Sequence, residues 1–277
     1  MSDPFSYAVI GKAIEVHREL GPGVDEVFYH ELLSERLRAA GIEHLCRPRE
    51  QLLHRGIVAD IFEADLVFPG KLVAELKCLR GAFEPEHYVQ LICYLKFWRL
   101  PTGLLFDFAK DSLLHRRVNY EPAAPVGFDC NALLADAPDL GGDCELGIAI
   151  CRGVAQIIEA YGFGYRDTTY RGLLAAEFNA DALGCLTTPT ATVNVDHRPV
   201  GETRCDCLAV GGRFGIQVLA LRRSIAAADV AILRTHLRLL QLSHGVILNF
   251  GKAGLDHCWI RRPLSHSSDP KIREGQR

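Results

Sequence analysis

Two carboxylates and a lysine lie close together in the segment ADLVFPGKLVAELK, residues 64–77. Gly70 follows a proline and marks a turn between two strands, and a three-residue loop centred on it places Asp65 opposite Glu75. Lys77 lies two residues further on and therefore shares one face of the strand with Glu75. The spacing predicts that two carboxylates and one ammonium group meet at one point of a sheet.

Such a cluster could bind a divalent metal ion. Facing carboxylates repel each other unless a cation lies between them, and hard oxygen ligands suit Mg²⁺ or Mn²⁺. A metal ion of this kind polarises a phosphodiester and lowers the pKa of a bound water. Lys77 could position or help deprotonate that water and stabilise developing phosphate charge. The alternative is an exposed hairpin with a cross-strand salt bridge, because Asp followed ten residues later by Glu-x-Lys is a loose pattern.

The chain contains an internal duplication. The segment GPGVDEVFYHELL at 21–33 recurs as GFGYRDTTYRGLL at 162–174, an offset of 141, and the same offset pairs Asp65 with Asp206. After one inserted residue the offset becomes 142 and continues to the end of the repeat. We therefore predict two copies of one domain at 1–121 and 144–264, a linker at 122–143 and a disordered tail at 265–277.

Both copies show the same order of elements, and the pattern is clearest in the first. Apolar residues at helical spacing and alternating β-rich segments predict a mixed α/β domain. The expected helices lie near 4–20, 25–40 and 85–99, and the expected strands near 44–54, 57–68, 71–77, 103–108 and 113–119.

Motifs on both sides of the carboxylate segment are similar to those of a known nuclease family. They are Gly21-Pro22-Gly23, Gly23-x-x-Glu26-x-x-Tyr29, Ala64-Asp65-Leu66, Glu75-Leu76-Lys77 and Pro85-x-His87-x-x-Gln90, with Tyr94 one helical turn later. This ordered set, which spans nearly all of 5–120, resembles the GxxExxY family, a RecB-like branch of the PD-(D/E)XK nuclease superfamily. The resemblance implies two tandem restriction-endonuclease-like domains, each a central mixed β-sheet flanked by helices.

The resemblance also implies a metal site in the first copy. Asp65 and Glu75 would be the principal ligands of Mg²⁺ or Mn²⁺, together with the main-chain carbonyl of Leu76. Glu26 would reach the metal from its helix, directly or through water, although a glutamate in a first helical turn can simply favour the helix dipole. Lys77 would be the catalytic lysine.

Three residues of the helix near 85–99 would support this site or contact the substrate. The resemblance implies that Gln90 and Tyr94 brace the site or touch the nucleic-acid backbone, and that His87 contacts a phosphate. The alternatives are a plain helix face for the first two, which lie one turn apart, and an ordinary first-turn polar residue for His87.

The second copy departs from the motif. It carries Asp206 but has Gln217 and Leu219 where the first copy has its glutamate and lysine. A two-residue turn at Gly211-Gly212 predicts Asp206 opposite Gln217, so that the hairpin geometry would survive without its chemistry. A neutral amide is a poor ligand for a hard cation, and we expect a catalytically dead copy with Leu219 buried.

Composition indicates the class of protein and the cellular compartment. Hydrophobic residues make up 48% of the chain and charged residues 23%, which is typical of a globular protein. No apolar run of about 18 residues is present and the N-terminus reads as an amphipathic helix, so we expect neither a membrane span nor a signal peptide. The ten cysteines lack paired C-x-x-C spacing and favour a reducing cytoplasm.

The formal net charge of −3 argues against strong nonspecific binding to a nucleic-acid duplex. The favoured function is a metal-dependent nuclease acting on nucleic acid, DNA rather than RNA, with the first copy catalytic and the second its partner in an intramolecular pseudo-dimer. The alternatives are a non-catalytic nucleic-acid-binding or regulatory protein and a scaffold on a nuclease fold.

Overall fold

The computed structural model describes residues 3–122, 128–196, 198–221, 224–251 and 254–261. These parts form two mixed α/β units, each with a five-stranded sheet and a separate two-stranded hairpin. The tail predicted at 265–277 and part of the linker, 123–127, lie outside the described residues.

The first copy begins with two helices that precede the whole sheet. The carboxylate of Asp3 caps the first of them by accepting from the backbone N–H of Phe5 at 3.1 Å. The helices are α1 (Pro4–Leu20), α2 (Glu26–Ala39) and α3 (Pro85–Trp98). The strands are β1 (Leu45–Cys46), β2 (Arg49–His54), β3 (Ile57–Glu63), β4 (Leu66–Phe68), β5 (Leu72–Lys77), β6 (Thr102–Asp107) and β7 (Leu114–Asn119). The predicted helices and the strands predicted at 71–77, 103–108 and 113–119 are confirmed to within a residue. The segments predicted at 44–54 and 57–68 each divide into two strands that belong to different sheets.

The second copy repeats this order after a short connecting helix, α4 (Cys130–Ala135), and a single 3₁₀ turn (Gly141–Asp143). Its helices are α5 (Cys144–Tyr161), α6 (Asp167–Ala180) and α7 (Ala227–Leu239). Its strands are β8 (Cys185–Leu186), β9 (Thr190–Val195), β10 (Arg198–Arg204), β11 (Leu208–Val210), β12 (Phe214–Ala220), β13 (His244–Phe250) and β14 (Leu255–Arg261).

The two main sheets have the same topology. The first has the strand order β1-β4-β5-β6-β7 and the second the equivalent order β8-β11-β12-β13-β14. In both sheets the central pair, β5 with β6 or β12 with β13, is parallel, and the other pairs are antiparallel. The prediction that the halves are two copies of one α/β fold is confirmed.

Strand β5 separates two hydrophobic layers, as its alternating pattern predicts. Leu72, Ala74 and Leu76 pack in the cluster that contains the buried faces of α1 and α2. Val73 belongs to the other cluster, together with Leu105 and residues of the second copy. The strand is therefore buried on both faces, and Glu75 is a carboxylate enclosed by apolar layers.

The β2–β3 hairpin leaves the first copy and packs against α6 of the second. Asp60 of the hairpin accepts hydrogen bonds from Arg166 at 3.2 Å and from the hydroxyl of Thr169 at 2.5 Å. At its tip, His54 lies 2.5 Å from the buried carboxylate of Glu177. Polar contacts of this kind hold the hairpin in one register on α6.

The same interface depends on close packing. The ring of Phe62 lies 5.9 Å from that of Tyr165, and both belong to one hydrophobic cluster that joins the two copies. A β-carbon added at Gly172 of α6 would lie 2.7 Å from the carbonyl carbon of Ala59. Only glycine therefore allows the helix to approach the hairpin backbone this closely.

Helices in the described ranges are not long and apolar enough to span a membrane.

Candidate active site

The β4–β5 hairpin brings the two predicted carboxylates together. The strands pair with Leu66 opposite Ala74, which places Asp65 opposite Glu75 around a three-residue turn. Gly70, at the centre of this turn, has a φ of 68°, a left-handed conformation that favours glycine. The predicted register around Gly70 is confirmed.

Main-chain hydrogen bonds orient both carboxylates. The backbone N–H of Asp65 donates to Oε1 of Glu75 at 3.1 Å. The backbone N–H of Leu76 donates to Oδ2 of Asp65 at 2.8 Å. The two side chains are therefore held across the hairpin by backbone groups and not by flexible neighbours.

Lys77 joins this cluster from the same face of β5. Its ammonium group lies 3.2 Å from Oε2 of Glu75, whose side chain is only 2% exposed. Burial alone would lower the pKa of Lys77, but the charges of Glu75 and Asp65 outweigh it and raise that pKa. Lys77 is therefore charged at neutral pH.

Burial has the opposite consequence for Glu75. It raises the pKa of this carboxyl group to about 8, and the neighbouring charge of Asp65 adds to the effect, while Lys77 opposes it. In the metal-free protein Glu75 therefore keeps its proton to a higher pH than an exposed glutamate does. A divalent cation would have to displace this proton in order to bind.

Glu26, the first residue of α2, lies at the edge of the cluster. Partial burial raises the pKa of its carboxyl group, and the charge of Asp65 raises it further. The charges of Lys77 and Arg47 and the backbone N–H of Cys78 act in the opposite direction. Charges of the hairpin thus act on Glu26, and its role as a metal ligand stays a prediction.

The chemistry of these donors fits a hard divalent cation. Carboxyl groups of Glu26, Asp65 and Glu75 share one lysine as their nearest balancing charge, so a cation would relieve their mutual repulsion. In the ranges that the structure describes, however, no three His, Cys, Asp or Glu side chains are close enough to form a complete metal centre. Binding would require a rearrangement of these side chains.

Helix α3 contributes a brace. The amide of Gln90 donates to the hydroxyl of Tyr94 at 2.9 Å, and that hydroxyl donates to the carbonyl oxygen of Glu63 at 2.6 Å. Glu63 ends β3, two residues before Asp65. His87 instead accepts from the backbone N–H of Glu84 at 2.9 Å and completes a capping box at the start of α3.

Sequence reasoning missed two residues that hold the backbone of Asp65. The carbonyl oxygen of Asp65 lies 3.0 Å from Nε2 of His30 and accepts from the backbone N–H of Arg47 at 2.8 Å. His30 lies one helical turn after Glu26, and this spacing on one helix face could have identified it. For Arg47 the sequence offers no comparable signal.

A second missed pair holds the segment after Lys77. Buried Asp107 accepts from the backbone N–H of Leu79 at 3.0 Å. The ammonium of Lys110 donates to the carbonyl oxygens of Leu79 at 2.6 Å and of Gly81 at 2.7 Å. The recurrence of this lysine at position 252 is a sequence signal for a structural role, although its counterpart lies outside the described residues.

A family model described as the PD-(D/E)XK nuclease superfamily matches residues 3–118 and again 145–262. The chain belongs to the PD-(D/E)XK nuclease superfamily. Members of this superfamily are usually hydrolytic nucleases and typically use divalent ions such as Mg²⁺ or Mn²⁺. No curated protein and no solved structure matches the chain. The narrower assignment to the GxxExxY family stays a prediction.

In the second PD-(D/E)XK copy, the hairpin has a register that differs from the prediction. Leu208 pairs with Ile216, so Cys207 comes opposite Gln217. The expected pairing of Asp206 with Gln217 is wrong, because the turn contains three residues, 211–213, and not two. The residue inserted in this copy therefore lies before β11 and not in the turn.

A one-residue slip moves a side chain to the other face of a strand. Asp206 is accordingly 67% exposed and pairs with Arg171, while Cys207 is buried. Gln217 is also buried, and its Oε1 has no hydrogen-bond partner among the described residues. The burial predicted for Leu219 is confirmed. This position of the fold thus lacks both acidic ligands of the superfamily motif.

The raised pKa of Glu75 predicts a pH dependence for the metal-free protein. The folded state retains a proton that the unfolded chain releases near 4.5, so the free energy of unfolding should fall as the pH rises from about 4.5 to about 8. Glu75→Gln should flatten this part of the profile, which chemical denaturation at a series of pH values would measure. Wild type and Glu75→Gln with identical profiles would contradict the buried, protonated carboxyl group.

Proposed function

We propose that the first copy is a metal-dependent nuclease that hydrolyses phosphodiester bonds of nucleic acid. The observation that carries this proposal is the hairpin on which Asp65, Glu75 and Lys77 converge, in a copy that the superfamily model matches. The second copy matches the same model but lacks these groups. We therefore assign catalysis to the first copy alone.

Asp65 and Glu75 would hold Mg²⁺ or Mn²⁺, with Glu26 and the carbonyl oxygen of Leu76 as further ligands. The bound ion would polarise the phosphodiester and lower the pKa of a water molecule. Lys77 is charged at neutral pH, so it would orient this water and stabilise negative charge on the phosphate, and would not act as a general base.

The side chains of α3 would act around this centre. The hydrogen bonds from Gln90 to Tyr94 and from Tyr94 to Glu63 support a bracing role, because they tie α3 to the strand end that leads into Asp65. Contact of Gln90, Tyr94 and His87 with the nucleic-acid backbone remains part of the proposal. In His87 only Nδ1 is used by the capping box, which leaves Nε2 for a phosphate.

The second copy would serve as a rigid platform in an intramolecular pseudo-dimer. The docking of the β2–β3 hairpin on α6 supports this role. Only the hairpin of the first copy carries the polar side chains for this contact. At the offset of 141, Asp60 aligns with Gly201 and His54 with Val195. The hairpin of the second copy therefore lacks the side chains that would reciprocate the contact.

The substrate and the cellular compartment belong to the same proposal. The motif resemblance favours DNA over RNA as the substrate. All ten cysteines are free thiols, which supports a reducing compartment such as the cytoplasm.

The decisive experiment measures cleavage of labelled single- and double-stranded DNA and RNA with Mg²⁺, with Mn²⁺ and with a chelator. We expect metal-dependent cleavage that Asp65→Ala removes and the chelator suppresses. Binding without cleavage under every condition would contradict catalysis and favour the non-catalytic alternative. Cleavage that persists in Asp65→Ala would instead place the active site elsewhere.

A further inference from the structure

The proposed active site carries an excess of negative charge that its substrate shares. Glu26, Asp65 and Glu75 contribute three carboxyl groups, and Lys77 is already committed to Glu75 at 3.2 Å. A phosphodiester approaching this cluster needs cationic groups besides the metal. Arg47 is a candidate, because it lies beside Asp65 and its backbone is hydrogen-bonded to the carbonyl oxygen of that residue.

The backbone of Arg47 is fixed to the site. Its N–H donates to the carbonyl oxygen of Asp65 at 2.8 Å, on the same oxygen that His30 approaches. The residue has a φ of 48°, a left-handed conformation that disfavours a long side chain. Local backbone geometry therefore does not explain the choice of arginine at this turn.

The side chain of Arg47 is exposed and forms no ion pair with a described residue. The neighbouring Arg49, which is also exposed, lies 3.9 Å from the carboxylate of Glu63. In the degenerate copy the offset of 141 places Thr188 where the first copy has Arg47. A free guanidinium thus accompanies the copy that retains the acidic groups.

We propose that Arg47 binds a phosphate of the substrate strand beside the metal-binding carboxylates. This inference rests on the proposed nuclease function and assigns a substrate-binding role to a residue outside the motif. The planar guanidinium can donate two hydrogen bonds to one phosphate. Because the backbone of Arg47 is fixed, this contact would determine which phosphate of the nucleic-acid strand lies next to Asp65.

The test measures binding separately from cleavage. Fluorescence anisotropy of a labelled single-stranded DNA, with Mg²⁺ and in a Lys77→Ala background that leaves the strand intact, would be recorded over a range of salt concentrations. Arg47→Asn removes the charge and keeps a residue that tolerates the left-handed backbone. Arg49→Gln is the matched control, and Arg47→Lys tests whether charge alone is sufficient.

We expect Arg47→Asn to weaken binding about fivefold to tenfold at low salt and to reduce the slope of log K against log salt by about 0.7. Arg47→Lys should keep the slope, and Arg49→Gln should change neither quantity. With Lys77 restored, Arg47→Asn should raise KM and leave kcat nearly unchanged.

Equal affinity and slope for Arg47→Asn and Arg49→Gln would overturn the role of Arg47 while cleavage by the wild type still supports the nuclease. A loss confined to kcat would also overturn it, because a phosphate contact outside the reacting group acts through binding. A protein that neither binds nor cleaves DNA or RNA would overturn the proposed function and this inference together.

Discussion

Exchanging the site residues of the first copy for those of the second should abolish metal-dependent cleavage. In Glu75→Gln/Lys77→Leu the hairpin keeps its apolar pattern but loses one anionic ligand and the charge beside the phosphate. We expect a loss on the order of 1,000-fold or more in kcat, because both groups act on the same reacting centre. Initial rates on the best substrate of the wild type, at saturating Mg²⁺ or Mn²⁺, would measure it.

The matched control is Asp206→Ala in the second copy. This side chain is exposed and pairs with Arg171, away from Gln217, so its removal should change kcat less than about twofold. Circular dichroism and unfolding curves would establish that all variants fold. If Asp206→Ala were as damaging as Glu75→Gln/Lys77→Leu in a folded protein, the assignment of catalysis to the first copy would be wrong.

A β-carbon at Gly172 should separate the two copies. In Gly172→Ala the new methyl group would overlap the peptide group of Ala59, and neither the helix nor the hairpin backbone can yield without losing the contacts of Asp60. We expect the free energy of unfolding to fall by about 3 kcal/mol or more. Urea unfolding followed by circular dichroism and by tryptophan fluorescence would measure the change.

Gly11 provides the control for this substitution. It also lies inside a helix, α1, but a β-carbon there would meet no atom within 4 Å. Gly11→Ala should therefore stabilise the protein by about 0.5–1 kcal/mol, since alanine has the higher helix propensity. If both substitutions were stabilising, the close approach of α6 to the β2–β3 hairpin would not exist in solution.

The hairpin connects this interface to the active site. It begins two residues after Arg47 and ends two residues before Asp65, and Tyr94 binds the carbonyl oxygen of Glu63 at its end. Displacing the hairpin from α6 would therefore loosen both ends of the segment that positions Asp65. In the proposed pseudo-dimer, the second copy would thus help to order a site to which it contributes no ligand.

Local pattern was sufficient to predict most elements and the side chains that meet on the first hairpin. Helical and alternating periodicities identified the helices and strands, because burial of one face imposes a period on the sequence. The turn at Gly70 determined the register, which brought Asp65 opposite Glu75 and left Lys77 on the same face. The duplication predicted that the second half would repeat the topology.

Only the tertiary structure decided what depends on contacts between distant segments. Aligning the two copies by sequence allows the extra residue of the second copy to lie either in its turn or before β11. Strand pairing places it before β11, and this decides that Cys207 and not Asp206 lies opposite Gln217. Arg47 reaches the carbonyl oxygen of Asp65 through its backbone N–H, which leaves no signal in its side chain, and His30 reaches the same oxygen with its imidazole from helix α2. Docking of the β2–β3 hairpin on α6 depends on complementary shape between segments about a hundred residues apart in the chain. Periodicity could not predict it, because periodicity shows only which faces are buried and not what covers them.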